Sequence, residues 1–332
     1  LALVKRNTQE IVTEEELTTL LKKKKQPVVY LGWSITGRPH IGYYVPVLKL
    51  ADFLNAGFKV KLLLADLHGA LDNTPWGVLE KRYQHYAKTI PLMFKSIGAN
   101  IKNFEIVKGS SFQLEKKYMT DLLKLSSKTS INDAKRAGSE VVKFGDNPKL
   151  SGLIYPLMQS LDEEYLEVDI QYGGIDQRKI LMFARENLPK VSYKPRIEIM
   201  TPLIPGLTSK KMSASDPKSK IDLLDDAKTV INKMKGAYCE AGVVEDNGVL
   251  AFLKHVIMTL KGDKGELFTV ERPEKYGGNL TYNSYEEVEK AFVNKELHPL
   301  DLKNALAAEI NKLLSVFDSN REKWEKLAQE VY

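Results

Sequence analysis

Between residues 27 and 66 the chain changes hydrophobic period twice, and that alternation restricts the fold more than any other feature. Pro27-Val-Val-Tyr-Leu-Gly32 is a short apolar run of the kind that forms a buried strand. A Gly- and Pro-containing loop follows from Gly32 to Pro39. The next stretch, from about His40 to Ala56, predicts a helix with Gly57 as its C-terminal stop. Val60-Lys-Leu-Leu-Leu-Ala-Asp66 is a second strand. Strand, loop, helix and strand at this spacing make a βαβ unit, for which a parallel sheet and a right-handed crossover are expected.

The alternation continues. The spacing predicts helices over 76–97, 113–127, 130–139, 153–166 and 175–187, and strands over 104–107, 168–170 and 196–200. Ahead of the first strand, residues 10–25 read as a helix whose Thr13-Glu-Glu-Glu turn and Lys22–Lys25 end both suit the helix dipole. A stretch rich in Pro, Gly, Ser and Lys runs from Thr201 to Lys220. Beyond it the pattern is helical, over about 222–236, 246–260, 284–296 and 300–328. The first 200 residues are therefore α/β, the last 110 mainly α, and 201–220 is the joint.

Composition narrows the class. A chain of 332 residues has room for about two domains. Hydrophobic residues at 43% beside 28% charged are those of a globular chain rather than a disordered one. The single cysteine, Cys239, forbids an intramolecular disulfide framework or a multi-cysteine metal site, and agrees with a reducing, cytoplasmic setting. No apolar run approaches the ~20 residues of a spanning helix, and Leu1–Arg6 has no signal-peptide core. A formal charge of +6 admits an anionic partner such as nucleic acid without naming it. Beyond that, the sequence offers no metal-ligand cluster of its own.

Four constellations bear chemistry. Gly37-Arg-Pro-His-Ile-Gly-Tyr43 replaces the G-x-G-x-x-G of a dehydrogenase and places His40 and Gly42 at a helix N-terminus, where phosphate is favoured. Taken singly, it is equally a capped helix start. Tyr155, Gln159 and Asp162 fall at i, i+4 and i+7 and line one helical face among apolar neighbours. An aspartate there demands a partner, either a small polar ligand or an arginine in the core. Gly173-Gly-Ile-Asp-Gln-Arg178 has a glycine pair after a strand and polar groups opening a helix, which suits a ribose or an amine, or is a plain turn. Lys210-Lys-Met-Ser-Ala-Ser215 is a basic loop able to close over pyrophosphate, or a solvated linker.

Their order along the chain is more specific than any one of them. In that order they resemble the class I aminoacyl-tRNA synthetases. Ala65-Asp-Leu-His68, Leu161-Asp-Glu-Glu-Tyr165, Gly173-Gly-Ile-Asp-Gln-Arg-Lys179 and His298-Pro-Leu-Asp-Leu-Lys303 are similar to stretches of the tyrosyl-tRNA synthetases of the eukaryotic/archaeal branch. The resemblance covers nearly the whole chain. It implies an α/β fold: a Rossmann-like, parallel-sheet catalytic domain over 1–220, then an all-α anticodon-binding domain over 221–332. A dimerisation and acceptor-stem insertion would occupy about 104–150, where Lys116, Lys117, Lys124 and Lys128 either meet phosphates or face solvent.

The resemblance also implies roles. His40-Ile-Gly-Tyr43 stands at the family's HIGH motif and Lys211-Met-Ser-Ala-Ser215 at its KMSKS motif, so that His40, Gly42, Lys211, Met212 and Ser213 would hold ATP and stabilise the activation step. Tyr43 replaces the second His of the first motif, and Ala214 the second Lys of the other, which leaves Lys211, with Lys210, to supply the loop's charge. Tyr30 and Asp162 would meet a phenolic hydroxyl, while Tyr155, Gln159 and Gln177 hold the α-amino group. Gly32, Gly174 and Asp176 would approach the adenylate, with Asp176 at the ribose. Tyr276, His298 and Asp301 would read the first anticodon base by stacking and edge contacts. The implied substrates and partners are L-tyrosine, ATP with Mg²⁺, tRNA(Tyr) and a second copy of the chain, with no membrane.

Two other readings compete. A tryptophanyl-tRNA synthetase shares the fold, but there Gly-Ile-Asp-Gln usually continues Asp-Pro, whereas here Arg178-Lys179 follows. A catalytically silent RNA-binding paralogue would lose motif residues, and only Ala214 points that way.

Overall fold

The computed structural model describes residues 1–208 and 219–332. The motif residues Lys210–Ser215, and with them the expectations for Lys211, Met212 and Ser213, lie outside the described residues.

A short helix α1 (Ala2–Lys5) leads to strand β1 (Glu10–Val12) and helix α2 (Glu14–Lys23). The helix expected from residue 10 thus begins later. Thr13 Oγ1 accepts from Glu16 N at 3.1 Å and Glu16 Oε2 from Thr13 N at 3.3 Å, a capping box that fixes the start. The residues before it, Glu-Ile-Val, pair antiparallel with a later strand instead. The βαβ unit follows as β2 (Val28–Ser34), a 3₁₀ turn (Ile41–Tyr43), α3 (Tyr44–Asn55) and β3 (Lys59–Ala65). Gly57, at φ +88°, makes the left-handed turn between α3 and β3 that a side chain would oppose.

Helices α4 (Asp66–Leu71) and α5 (Leu79–Ser96) precede β4 (Phe104–Lys108), α6 (Lys116–Ser126), α7 (Ile131–Gly138) and α8 (Leu150–Tyr165). Pro156 sits inside α8. Strand β5 (Ile170–Gly174), α9 (Arg178–Asn187) and β6 (Ile197–Thr201) complete the sheet. Its order is β1-β6-β5-β2-β3-β4, and only β1 runs antiparallel to its neighbour. The glycines expected in a turn after a strand at 168–170 are themselves the last two residues of β5, paired with Met200 and Thr201.

The C-terminal part holds α10 (Ala227–Gly236), α11 (Gly248–Phe252), a π-helical stretch (Leu253–Met258), α12 (Thr259–Lys264), α13 (Tyr285–Val293), α14 (Pro299–Leu314) and α15 (Arg321–Gln329). It also holds a hairpin of β7 (Phe268–Val270) and β8 (Leu280–Tyr282), unexpected because three-residue strands carry no readable period. Residues 221–226 are not the expected helix start. Ile41 N donates to Ile221 O at 2.9 Å and Leu223 N to Pro39 O at 3.2 Å, so this segment pairs with the loop before α3 instead.

One apolar cluster runs from the sheet (Val29, Leu62) through α3 and α5 (Phe53, Met93) into the C-terminal helices (Val256, Leu306, Phe317). Tyr44, fully buried, extends its hydroxyl to Ser96 Oγ at 2.8 Å and to Leu313 O at 3.3 Å across that seam. A second cluster joins α6, α7, α8 and α9 through Tyr118, Ala134, Leu161 and Phe183. Among the described residues no helix is long and apolar enough to cross a membrane.

Candidate active site

The chain runs from β2 to β3 and β4 on one side of the sheet and to β5 and β6 on the other. β2 and β5 therefore flank a topological switch point, where the strand ends part and a crevice opens at their C-terminal edge. A cavity of about 680 Å³ lies there, lined by Gly32, Trp33 and Ser34 from β2 and by Gly173 and Gly174 from β5. Tyr155, Gln159 and Asp162 of α8 form one wall, the loop carrying His40 and Gly42 another, and Pro202–Ile204 after β6 a third.

The helix stripe read from spacing does face one space. Asp162 is fully buried at its floor. The partner the sequence demanded for it is neither an arginine nor another charge. Gln113 Nε2 donates to Asp162 Oδ1 at 2.8 Å and the Tyr118 hydroxyl donates to the same atom at 2.9 Å. Oδ2 has no hydrogen-bond partner among the described residues, and His68 Nε2 stands 3.8 Å from it. Burial pushes the Asp162 carboxyl up to about 8, against the pull of its two donors. Burial likewise pushes His68 down to about 4, so the imidazole is neutral and its nearness to Asp162 is no ion pair.

Tyr30, also fully buried, donates its hydroxyl to Gln159 O at 3.2 Å rather than to Asp162. Gln159 Nε2 donates to Gln177 Oε1 at 3.2 Å, tying the wall of α8 to the turn after β5. In that turn a Cβ on Gly174 would lie 2.6 Å from Asp176 Oδ1, so only glycine lets Asp176 fold back over the strand end.

His40 caps the 3₁₀ turn, with Nδ1 accepting from Gly42 N at 3.2 Å. Its ring stacks on Tyr43 at 4.7 Å, and Tyr43 stacks on Trp33 at 4.7 Å. Burial, with the Lys220 charge, pushes the imidazole down to about 3. A neutral ring whose Nδ1 accepts carries its proton on Nε2, a donor at the cavity's edge suited to a phosphate oxygen. The replacement of the motif's second His by Tyr43 thus supplies the middle ring of a three-ring stack.

A polar rung crosses the sheet beside the cavity, which two of its members, Tyr30 and Gln171, line. Lys61, Tyr30, Gln171 and Glu198 are register partners on β3, β2, β5 and β6, so their side chains share one face. Glu198 and Glu163 of α8 are both fully buried, and among the described residues none of their four carboxylate oxygens has a hydrogen-bond partner. Burial pushes Glu163 up to about 8 and Glu198 upward as well, each raised further by a neighbouring acid.

Gln113, Tyr118 and His68 escaped notice as site residues. Gln113 and Tyr118 lie 49 and 44 residues before Asp162, where no spacing rule connects them. The usable signal was the demand itself: a buried Asp needs donors, and polar residues flanking the start of α6 were candidates. In the C-terminal part, Tyr276 is 63% exposed in the turn after β7, and Lys275 Nζ lies 4.9 Å from its ring centre. His298 caps α14 through Nδ1, accepting from Leu300 N at 3.1 Å, and Asp301 stands in that helix's first turn. Arg272 Nη1 reaches Glu296 O at 3.5 Å, linking the two segments.

A parallel sheet with a nucleotide-sized cavity at its switch point, edged by a helix-capping neutral histidine, is the architecture of a class I aminoacyl-tRNA synthetase catalytic unit. The model of the family "tRNA synthetases class I (W and Y)" matches residues 22–315. The chain belongs to this family, within its tyrosyl branch of eukaryotes and archaea. A cytoplasmic tyrosine–tRNA ligase of Gallus gallus is 49% identical over 97% of this chain and 60% of its own length. The chain thus spans about three fifths of that relative. A tyrosine–tRNA ligase of Haloarcula marismortui is 44% identical over the whole chain and 96% of its own. The structure of tyrosyl-tRNA synthetase complexed with L-tyrosine from Archaeoglobus fulgidus superposes with a TM-score of 0.87 at 40% identity, covering 96% of this chain and 98% of that one.

Proposed function

We propose that the chain activates L-tyrosine with ATP and transfers it to tRNA(Tyr). The observation that carries this reading is the unpartnered Oδ2 of fully buried Asp162, facing a cavity that Tyr30 also lines. A phenol both donates and accepts. It therefore pairs with Asp162 in either protonation state and with the Tyr30 hydroxyl, whereas an indole N–H only donates and a phenyl ring does neither. This favours tyrosine over tryptophan and phenylalanine. Tyr155, Gln159 and Gln177 hold the α-amino group, which leaves the carboxylate toward Gly32, Gly174 and Asp176.

In the first step a tyrosine carboxylate oxygen attacks the α-phosphorus of ATP, and the bond to pyrophosphate breaks. The Nε2–H of His40 and the backbone beside Gly42 meet the phosphates, and Lys211, Met212 and Ser213 belong to the same task. Mg²⁺ bound with ATP would supply positive charge to the pyrophosphate. In the second step a terminal ribose hydroxyl of the tRNA attacks the tyrosyl carbonyl and AMP leaves. Residues 1–220 form the catalytic part and 221–332 the part that meets the anticodon, through Tyr276, His298 and Asp301. Two copies pair through the 104–150 region, where Leu114, Leu123 and Ile131 are each more than 60% exposed. The setting is the cytoplasm.

Amino-acid-dependent ATP–pyrophosphate exchange tests the reading with tyrosine, phenylalanine and tryptophan at equal concentration. Exchange with tyrosine alone is expected. Exchange with tryptophan alone, or with none of the three, overturns it.

A further inference from the structure

Arg38 stands two residues before His40, where three segments meet. Its two Nη groups grip both carboxylate oxygens of Glu325 in α15, with Nη1 to Oε1 at 3.2 Å. Its Nε lies 3.0 Å from Asp222 Oδ2. The Arg38 carbonyl accepts from Lys220 Nζ at 3.1 Å, and His40 forms a backbone bridge with Asp222. Residues 38–41, which deliver His40 to the cavity, are thereby fastened to residues 220–223, which follow closely on the lysine- and serine-bearing stretch. Arg38 itself does not line the cavity, whereas Thr36 and His40 do.

Geometry separates this cluster from the amino-acid pocket. The groups around Asp162 are carried by α8, by His68 of α4 and by the segment from Gln113 to Tyr118, and none of the hydrogen bonds of Arg38 reaches them. A guanidinium presents its donors in one rigid plane, so its two Nη groups hold Glu325 while its charge lies against Asp222 without a hydrogen bond from Nε. A lysine ammonium is a point charge and does not reproduce that fork.

We propose that Arg38 is a positioning residue for the ATP half of the reaction. Its fork on Glu325, with its charge against Asp222, sets the His40 loop against the segment that follows the second motif, and makes α15 a support of the activation step. This rests on the activation chemistry proposed above. Nothing in the fork touches substrate, so its effect falls on ATP and on the rate rather than on tyrosine.

The test is tyrosine-dependent ATP–pyrophosphate exchange on the full chain, with KM for each substrate measured separately. Arg38→Ala is expected to lower kcat/KM for ATP by roughly ten- to hundredfold, as misplacement of a catalytic group does, while KM for tyrosine stays within about twofold. Arg38→Lys should fall between. Glu325→Gln, on a half-exposed helix face, should lower the same parameter by less in the native background, and should cost nothing further once Arg38 is alanine. Retained tyrosine-induced thermal stabilisation of the variants reports an intact pocket. A parallel rise in KM for tyrosine, an equal cost of Glu325→Gln in both backgrounds, or unchanged kinetics in Arg38→Ala each overturn the assignment. Absence of exchange in the unaltered chain overturns the activation chemistry itself.

Discussion

Tyr118 and Asp162 are 44 residues apart in sequence, and the tyrosine hydroxyl donates to the aspartate Oδ1 at 2.9 Å in a fully enclosed site. With Gln113 on the same oxygen, this contact satisfies one half of the carboxyl and leaves the other half for a ligand. Both donors are neutral. Among the described residues no cation lies within hydrogen-bond reach to hold the aspartate ionised, so burial dominates and keeps its carboxyl near 8. On the proposed function, that unmet oxygen is the partner a substrate hydroxyl would find.

Removing that partner should remove the discrimination. Sites that hydrogen-bond a substrate hydroxyl reject the analogue lacking it by roughly 10⁴–10⁵. Asp162→Ala should bring tyrosine and phenylalanine close to parity in kcat/KM for exchange, and lower tyrosine activity by a comparable factor. A variant that keeps full tyrosine preference would show that Asp162 does not read the hydroxyl.

Tyr118 should matter to the amino acid and not to the nucleotide. Tyr118→Phe deletes one donor to Oδ1, worth about 1–2 kcal/mol when the acceptor is a buried carboxyl. KM for tyrosine should rise roughly tenfold, with KM for ATP unchanged. Equal effects on both substrates would instead assign Tyr118 to the packing of α6 on α8.

Much of this was legible in the sequence. The βαβ period marked β2 and β3 to within two residues and the end of α3 to within one, because apolar runs and Gly57 mark them locally, whereas the first turn of the expected helix is the 3₁₀ turn at Ile41–Tyr43 and α3 starts at Tyr44. The stripe Tyr155, Gln159, Asp162 was legible for the same reason, since a helix turns i, i+4 and i+7 into one face. What stayed hidden depends on partners distant in sequence. β1 is a strand only because Ile11 and Val12 find Ile199 and Glu198. The start of α10 shifts because Ile221 and Leu223 pair with the His40 loop. Gln113 finds Asp162 through the packing of α6 and α8, which no local pattern encodes.

The buried acids make stability depend on pH in a direction opposite to that of ordinary carboxylates. Asp162 and Glu163 stay protonated in the folded chain to about 8, and Glu198 is raised as well, while in the unfolded chain such groups ionise near 4. Between those values the folded state holds protons that the unfolded state releases, so raising pH favours unfolding. His40, His68 and His85 act in the reverse sense. Their folded values of about 3, 4 and 4 lie below the unfolded 6.5, so their contribution is complete above pH 6.5 and is lost on acidification. Lys49, lowered to about 8 by burial, adds stability with rising pH only above that value. Of these groups, it is the acids that carry the change from pH 6.5 to 8. The Tm of the ligand-free chain should fall across that window, and Glu163→Gln should reduce the slope. A Tm that rises from 6.5 to 8 would mean the acids are ionised in the fold.

The C-terminal residues should separate the two half-reactions. Tyr276 is 63% exposed in the turn after β7, and the Lys275 ammonium lies near its ring, an arrangement open to a splayed base and its phosphate. Asp301 stands in the first turn of α14, beside the His298 cap. Neither residue lines the cavity, so neither should affect tyrosine or ATP. Stacking of a base on an aromatic ring is worth about 1–3 kcal/mol. Tyr276→Ala should therefore lower kcat/KM for tRNA aminoacylation by roughly ten- to hundredfold, and Asp301→Ala should lower it as well, while ATP–pyrophosphate exchange stays at the native rate in both. Because His298 holds its own backbone through Nδ1, His298→Ala should add a loss of helix stability of about 1 kcal/mol, visible in Tm where Tyr276→Ala is silent. Loss of exchange together with aminoacylation in the Tyr276 variant would make that residue a support of the fold and remove it from RNA contact.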